Sequence, residues 1–167
     1  MAFDLRSVSE VFNKVLFRIP DYQRGYSWDK YQLEDFWNDI IDMQPDHPHY
    51  TGVITIEKVK DDIYSSWDDE KWMKNELGYT SYFVIDGQQR LTTVMILIKS
   101  IIDSDDDIGF YKKNDITSQY LYQSRGEGLS EICIFGYEKD NPSFDFWKYN
   151  ILHLPSCLLY TSDAADE

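Results

Sequence analysis

The run YFVIDGQQRLTTVMILIKSII, residues 82 to 102, limits what the chain can become more tightly than any other part of it. Apolar residues fill both arms, and Asp86-Gly87-Gln88-Gln89-Arg90, a set that is costly to bury, stands between them. The β-branched and aromatic arm SYFVI predicts a central strand. The arm RLTTVMILIKSII is apolar nearly all round and predicts a helix lying deep in the domain. A strand turning directly into a helix leaves unpaired N–H groups at the helix start, where the dipole favours an anion, often a phosphate. The expected donors are the N–H groups of Leu91 to Thr93.

The side chains of the run fit the same chemistry. Gly87 permits a tight turn and close approach of a ligand. Arg90 offers a planar fork for phosphate oxygens. Asp86 could hold Mg²⁺, which takes one or two carboxylates and keeps its waters. Gln88 or Gln89 could orient a water or a phosphate, and Thr92 and Thr93 add hydroxyls in the first helical turn. The Gly-x4-Gly-Lys-Ser/Thr phosphate loop does not occur. Taken alone, these residues leave two readings open: an anion site, or an Asp-Gly turn closed by a structural ion pair between Asp86 and Arg90.

A second motif, IPDYQRGYSW, sets Tyr22, Tyr26 and Trp28 around Gln23 and Arg24. Aromatic faces beside an arginine suit a nucleobase or ribose next to a phosphate. They also suit a core in which Arg24 makes a buried ion pair. Other candidates are weaker. His47 and His49 in PDHPHY invite a metal reading, but the stretch has the composition of a helix–strand loop. His153 stands alone and reads as structural. Asp61, Asp62, Asp68, Asp69 and Glu70 read as a solvated face. No serine, histidine and acid set has a nucleophile-elbow context.

The rest of the chain supplies the frame. LRSVSEVFNKV has the spacing of a short amphipathic helix, and LFRIP reads as extended because Pro20 pushes Ile19 out of the helical region. Asp29 and Gln32 form a capping-box pattern for a helix over 30–43, with Leu33, Phe36, Trp37, Ile40 and Ile41 as its core-facing stripe. YTGVITIEKV reads as a strand, and the acidic stretch 60–80 as an exposed excursion between strands. DITSQYLYQ fits a short helix or a strand, and SEICIFGY a strand. NPSFDFWKYNIL reads as a helix capped by Asn141. This order predicts a compact α/β or α+β domain.

Composition narrows the function classes. The net charge of −14 argues against a domain that binds DNA chiefly by neutralising phosphates. No apolar run reaches the length of a membrane span, the N-terminus lacks a secretory pattern, and two cysteines suggest no disulfide framework. A bacterial-type cytoplasm is the expected compartment. Residues 157–167, CLLYTSDAADE, resemble the frame translation of a transposon-based sequencing adapter. The expectation is therefore a domain over 1–156, with the natural protein continuing beyond Ser156 and 157–167 excluded from fold reasoning.

IPDYQRGYSWDKYQLEDFWNDI, then YTGVITI, then FVIDGQQRLTTVMILI resembles, in content and order, the N-terminal domain of GmrSD-type restriction endonucleases. The resemblance covers roughly residues 3 to 155. It implies a ParB/sulfiredoxin-like fold and a nucleotide-binding, nucleotide-hydrolysing module that uses an NTP and Mg²⁺. It also implies a C-terminal HNH-type nuclease domain or subunit, and modified DNA engaged through the full-length protein. On this resemblance Asp86, Gly87, Gln88, Gln89 and Arg90 match the nucleotide motif, and Tyr22, Gln23 and Arg24 the companion motif. The sequence contains no HNH-like histidine cluster, so cleavage is not assigned to these residues. A non-hydrolysing nucleotide-triggered clamp or modified-DNA sensor, and a purely structural polar network, are the rival readings.

Overall fold

The computed structural model describes residues 4–44, 49–64, 66–104, 108–109, 111–126 and 130–155. The segment 157–167 lies outside them, as does His47. The framework is a four-stranded sheet in the order β2-β3-β1-β6, where β1 is Val15–Ile19, β2 Thr55–Lys58, β3 Thr80–Asp86 and β6 Phe135–Tyr137. β1 runs parallel to both β3 and β6, while β2 runs antiparallel to β3. Phe17 pairs with Tyr82 on one side and Phe135 on the other, which fixes the register at the centre. The domain is mixed α and β, as the order of elements predicts, and β3 is an internal strand.

β1 is buried on both faces from Leu16 to Ile19, and this explains its unbroken apolar reading apart from Arg18. That arginine is 4% exposed, and its guanidinium pairs with Glu70 at 2.8 Å. The partner comes from the segment expected to be a solvated excursion. Here the structure corrects the sequence reading. The segment folds into helix α3 (Asp61–Tyr64), a 3₁₀ turn (Asp68–Glu70) and helix α4 (Lys71–Leu77), and it buries Tyr64, Trp72 and Met73. Its many acids hide an apolar set that has to be covered.

Four further expectations are corrected. The N-terminal helix shrinks to one turn, α1 (Val8–Val11), capped reciprocally by Ser7 and Glu10, because the β-forming run from Val15 is needed in the sheet. Helix α2 (Lys30–Ile41) has the predicted Asp29/Gln32 capping box, yet none of its residues is buried. Helix α5 (Gln88–Ser104) buries Gln89, Leu91, Thr92, Thr93 and Met95, but its later turns are half-exposed and Ile101 is 47% exposed. SEICIFGY divides: β5 (Ser130–Cys133) forms a hairpin with β4 (Tyr122–Arg125), and Ile134 passes the chain to β6. The transfer is fixed by Ile134 N–H donating to Leu121 O at 2.8 Å and Phe17 N–H donating to Ile134 O at 2.8 Å.

Between β3 and β4, DITSQYLYQ forms a short helix, α6 (Lys113–Ile116), a π turn (Thr117–Leu121) and then β4 itself. Near the C-terminal end the expected helix is a π-helical segment, Phe146–Ile151. It brings Trp147 onto Phe135 and Tyr137, with ring centroids at 5.3 and 6.1 Å, and Trp147 Nε1–H donates to Phe135 O at 2.9 Å. Among the described residues no helix is long and apolar enough to cross a membrane.

Burial pushes the Tyr137 phenol up to about 12, with the hydrogen bond to Thr92 acting in the opposite direction. A folded value above the unfolded one means that this tyrosine's contribution is full below about pH 10 and is lost as pH rises through about 12. Urea midpoints taken across that range should therefore fall, and Tyr137→Phe should flatten the fall. An equally steep decline in the variant would show that this phenol plays no part.

Candidate functional site

Strand β3 passes into α5 through a single residue, Gly87, with φ +87°. A side chain there would be strained, and its Cβ would meet Val53 O at 3.1 Å. The helix starts earlier than expected. Leu91 N–H already donates to Gly87 O at 3.1 Å, so the groups ahead of the ladder are the N–H groups of Gln88, Gln89 and Arg90, not those of Leu91 to Thr93. The DGQQR residues therefore form the first turn of α5 and the step into it.

The companion motif lies against this turn, and side-chain amides grip its backbone. Pro20 ends β1, which pairs with β3 only as far as Phe83. Beyond that point Gln23 Nε2 donates to Val84 O and Ile85 O at 3.1 and 3.0 Å, substituting for the missing strand. Gln88 Nε2 donates to Arg24 O at 3.1 Å. Gln89, 9% exposed, makes a paired contact: its Nε2 donates to Gly25 O at 3.1 Å and its Oε1 accepts from Ser27 N–H at 2.9 Å. From the other side Asn141, 4% exposed, donates to Pro20 O and Gln23 O at 2.8 and 3.0 Å. Ser143 Oγ accepts from Tyr26 N–H at 3.1 Å, and a Cβ on Gly25 would fall 2.3 Å from that oxygen.

The hydroxyls are committed to the same structure. Thr93 donates to Gln89 O at 2.9 Å and lies 2.9 Å from Tyr26 Oη. Thr92 donates to Gln88 O at 2.8 Å and lies 3.1 Å from Tyr137 Oη. Both threonines are buried, so they hold the first turn of α5 to its surroundings. Gln88 keeps one free group: its Oε1 is buried without a hydrogen-bond partner.

The charged groups are arranged differently. Arg24, Asp86 and Arg90 are exposed. Among the described residues none of the three makes an ion pair, so Asp86 and Arg90 do not close the turn on each other. Tyr22 is 75% exposed and is not a core residue. The Arg90 guanidinium lies along Gly52, where a Cβ would come within 2.4 Å of its Nη1.

Arg90 lines a cleft of about 340 Å³ together with Trp28, Phe36, Asp35, Asp39 and the 49–52 loop. The size suits a small ligand. The Trp28 and Phe36 rings are tilted 58° to each other with centroids 6.0 Å apart, and His49 Nε2 lies 3.7 Å from Asp39 Oδ2. Asp35, Phe36, Asp39, Tyr50 and Gly52 were missed as site residues. The one available signal was the capping box, which orients α2 so that 32, 35, 36 and 39 follow at one-turn spacing. Among the described residues no group of three or more His, Cys, Asp and Glu side chains could hold a metal ion.

Residues 8–159 match the family model described as GmrSD restriction endonuclease, N-terminal domain. No curated protein matches the chain.

Proposed function

Because the chain belongs to the family of GmrSD restriction endonuclease N-terminal domains, we propose that it is the nucleotide-binding module of a modification-dependent restriction protein. The observation that carries this reading is the cleft beside Arg90. An unpaired guanidinium and a pair of aromatic rings line one cleft, and that guanidinium belongs to the first turn of a seventeen-residue helix. Phosphates suit Arg90, Arg24 and the first turn of α5. A base suits the Trp28 and Phe36 faces, with Asp35 or Asp39 accepting from its amino groups. A lone exposed carboxylate at Asp86 fits Mg²⁺ carried in on the nucleotide, which takes its other ligands from water and phosphate. Bound there, the ion would neutralise phosphate charge. Asp86 and the free Gln88 Oε1 are the groups that could orient a water for hydrolysis, and turnover would gate a nuclease domain or subunit acting on modified DNA.

A second reading is favoured by one observation. Both ends of the Gln89 amide are engaged with the 25–27 backbone. A site that uses this glutamine for scaffolding fits a nucleotide-triggered clamp that binds without turnover. Thermal unfolding with NTP and Mg²⁺ tests the shared premise. A ligand at 100 times its Kd adds about 2.7 kcal/mol, which is a rise of several degrees in a domain of this size. The rise should vanish in Arg90→Ala and Trp28→Ala. If no NTP shifts the wild-type midpoint, the nucleotide reading fails. Phosphate release at saturation then separates hydrolysis from the clamp.

A further inference from the structure

Arg90 is the cation of the cleft, yet no counter-ion holds it. Among the described residues it has no ion-pair partner, and it is exposed. A long side chain in that position samples many rotamers, and ordering it when a ligand arrives lowers affinity. What restrains the guanidinium is a side chain that is missing. A Cβ on Gly52 would lie 2.4 Å from Arg90 Nη1, 2.8 Å from Cζ and 3.3 Å from Nε. The planar head therefore occupies the space that any residue other than glycine would fill, and both residues line the cleft. Backbone conformation alone does not account for this. Gly52 has φ +104° and Gly78 has φ +73°, but nothing lies within 4 Å of a Cβ built on Gly78. Gly78 serves a turn, whereas Gly52 serves a turn and makes room for the arginine.

The seat is itself fastened to the turn that carries Arg90. A Cβ on Gly87 would meet Val53 O at 3.1 Å and Ile54 Cα at 3.3 Å, so the backbone after Gly52 lies directly on that turn. The next residue, Thr55, pairs with Asp86 at the end of β3. Arg90 stands in the first turn of α5, beyond the same glycine. Seat and guanidinium are thus held to one frame. We propose that Gly52 is a positioning residue for Arg90, its bare backbone ordering the guanidinium in the cleft before a phosphate group reaches it. The role presupposes that the cleft is a phosphate site. A methyl group at position 52 would meet the far end of a flexible side chain, which can swing away. Gly52→Ala therefore displaces the guanidinium, with backbone strain of the kind that Gly78→Ala also introduces.

Two readouts on the full chain test this. The first is the Arg90 Nε–H resonance in ¹⁵N spectra, assigned with Arg90→Lys. The second is calorimetric titration with inorganic triphosphate and with each NTP, all with Mg²⁺. Gly52→Ala should move or broaden the resonance and weaken binding at least about tenfold, the loss of one hydrogen bond to a charged group. Gly78→Ala should change neither. Gly52→Ala/Arg90→Ala should bind no worse than Arg90→Ala, because both changes act through one group. An unmoved resonance, undiminished binding or losses that add would each overturn the proposal. In the wild type, an Arg90 Nε as mobile on the ps–ns scale as that of exposed Arg24 would overturn it without any variant. A wild type that bound triphosphate but no NTP, with the same dependence on Gly52, would sink the nucleotide reading and leave the positioning role standing. A wild type that bound neither would sink both.

Discussion

Glu70→Ala should destabilise the domain by about 3–5 kcal/mol, the range for leaving a buried charge without its partner. Arg18 stands in β1, at the middle of the sheet, with 5% of its side chain exposed. Its Nε and Nη2 donate to Glu70 Oε1 at 3.0 and 2.8 Å. Nη2 also donates to Cys133 O at 2.7 Å and Nη1 to Phe17 O at 2.7 Å. The carbonyls satisfy the N–H groups but not the charge. With Glu70 truncated, the guanidinium remains among peptide dipoles in a site that water reaches poorly. Glu70→Gln retains an acceptor and should cost less than the alanine. Arg18→Met with Glu70→Leu removes both charges and should recover a large part of the loss. Urea denaturation of the four proteins gives the comparison. A cost below about 1 kcal/mol for Glu70→Ala would mean that the site stays wet and the pair behaves as a surface bridge.

This pair also shows where sequence reasoning reaches its limit. What depended on near neighbours was legible. The Asp29/Gln32 box placed the start of α2 correctly because a cap and its reciprocal partner are three residues apart. The β3 strand and the turn at Gly87 followed from a local apolar run and a residue able to adopt positive φ. Arg18 and Glu70 are separated by 52 positions, and nothing local distinguishes Glu70 from the acids beside it. The apolar stripe of α2 failed as a core prediction for a related reason. Amphipathicity says that a face needs cover, not that the same domain provides it. The two motifs were recognised as a pair, but their relation was not. Gln23, Gln88 and Gln89 had the composition of ligand contacts, whereas their amides mainly join one motif to the other. Tyr22, Arg24, Asp86 and Arg90 are left facing outward.

Gln89→Leu is therefore the substitution that separates scaffold from site. Its volume is nearly kept, yet Gly25 O and Ser27 N–H both lose their partners, and each orphaned backbone group costs about 1–3 kcal/mol when it stays dry. The sum should approach that of Glu70→Ala if the loop holds its position. If the loop lifts instead, water recovers part of that cost and the loss moves from stability to geometry. Amide hydrogen exchange at Ser27 distinguishes the outcomes: it accelerates strongly when the loop lifts and only in proportion to global stability when it does not. The consequence for binding runs through Trp28, one residue beyond the clamp and part of the cleft that contains Arg90. A lifted loop should weaken nucleotide-dependent stabilisation even though no phosphate-binding cation has been altered. Gln89→Glu sharpens the test. Its carboxylate can still accept from Ser27 N–H, but it sets an oxygen against Gly25 O and adds negative charge near the expected phosphates. It should be worse than Leu for binding and milder for Ser27 exchange. If both variants kept wild-type exchange at Ser27, the amide clamp would not be what positions the companion motif.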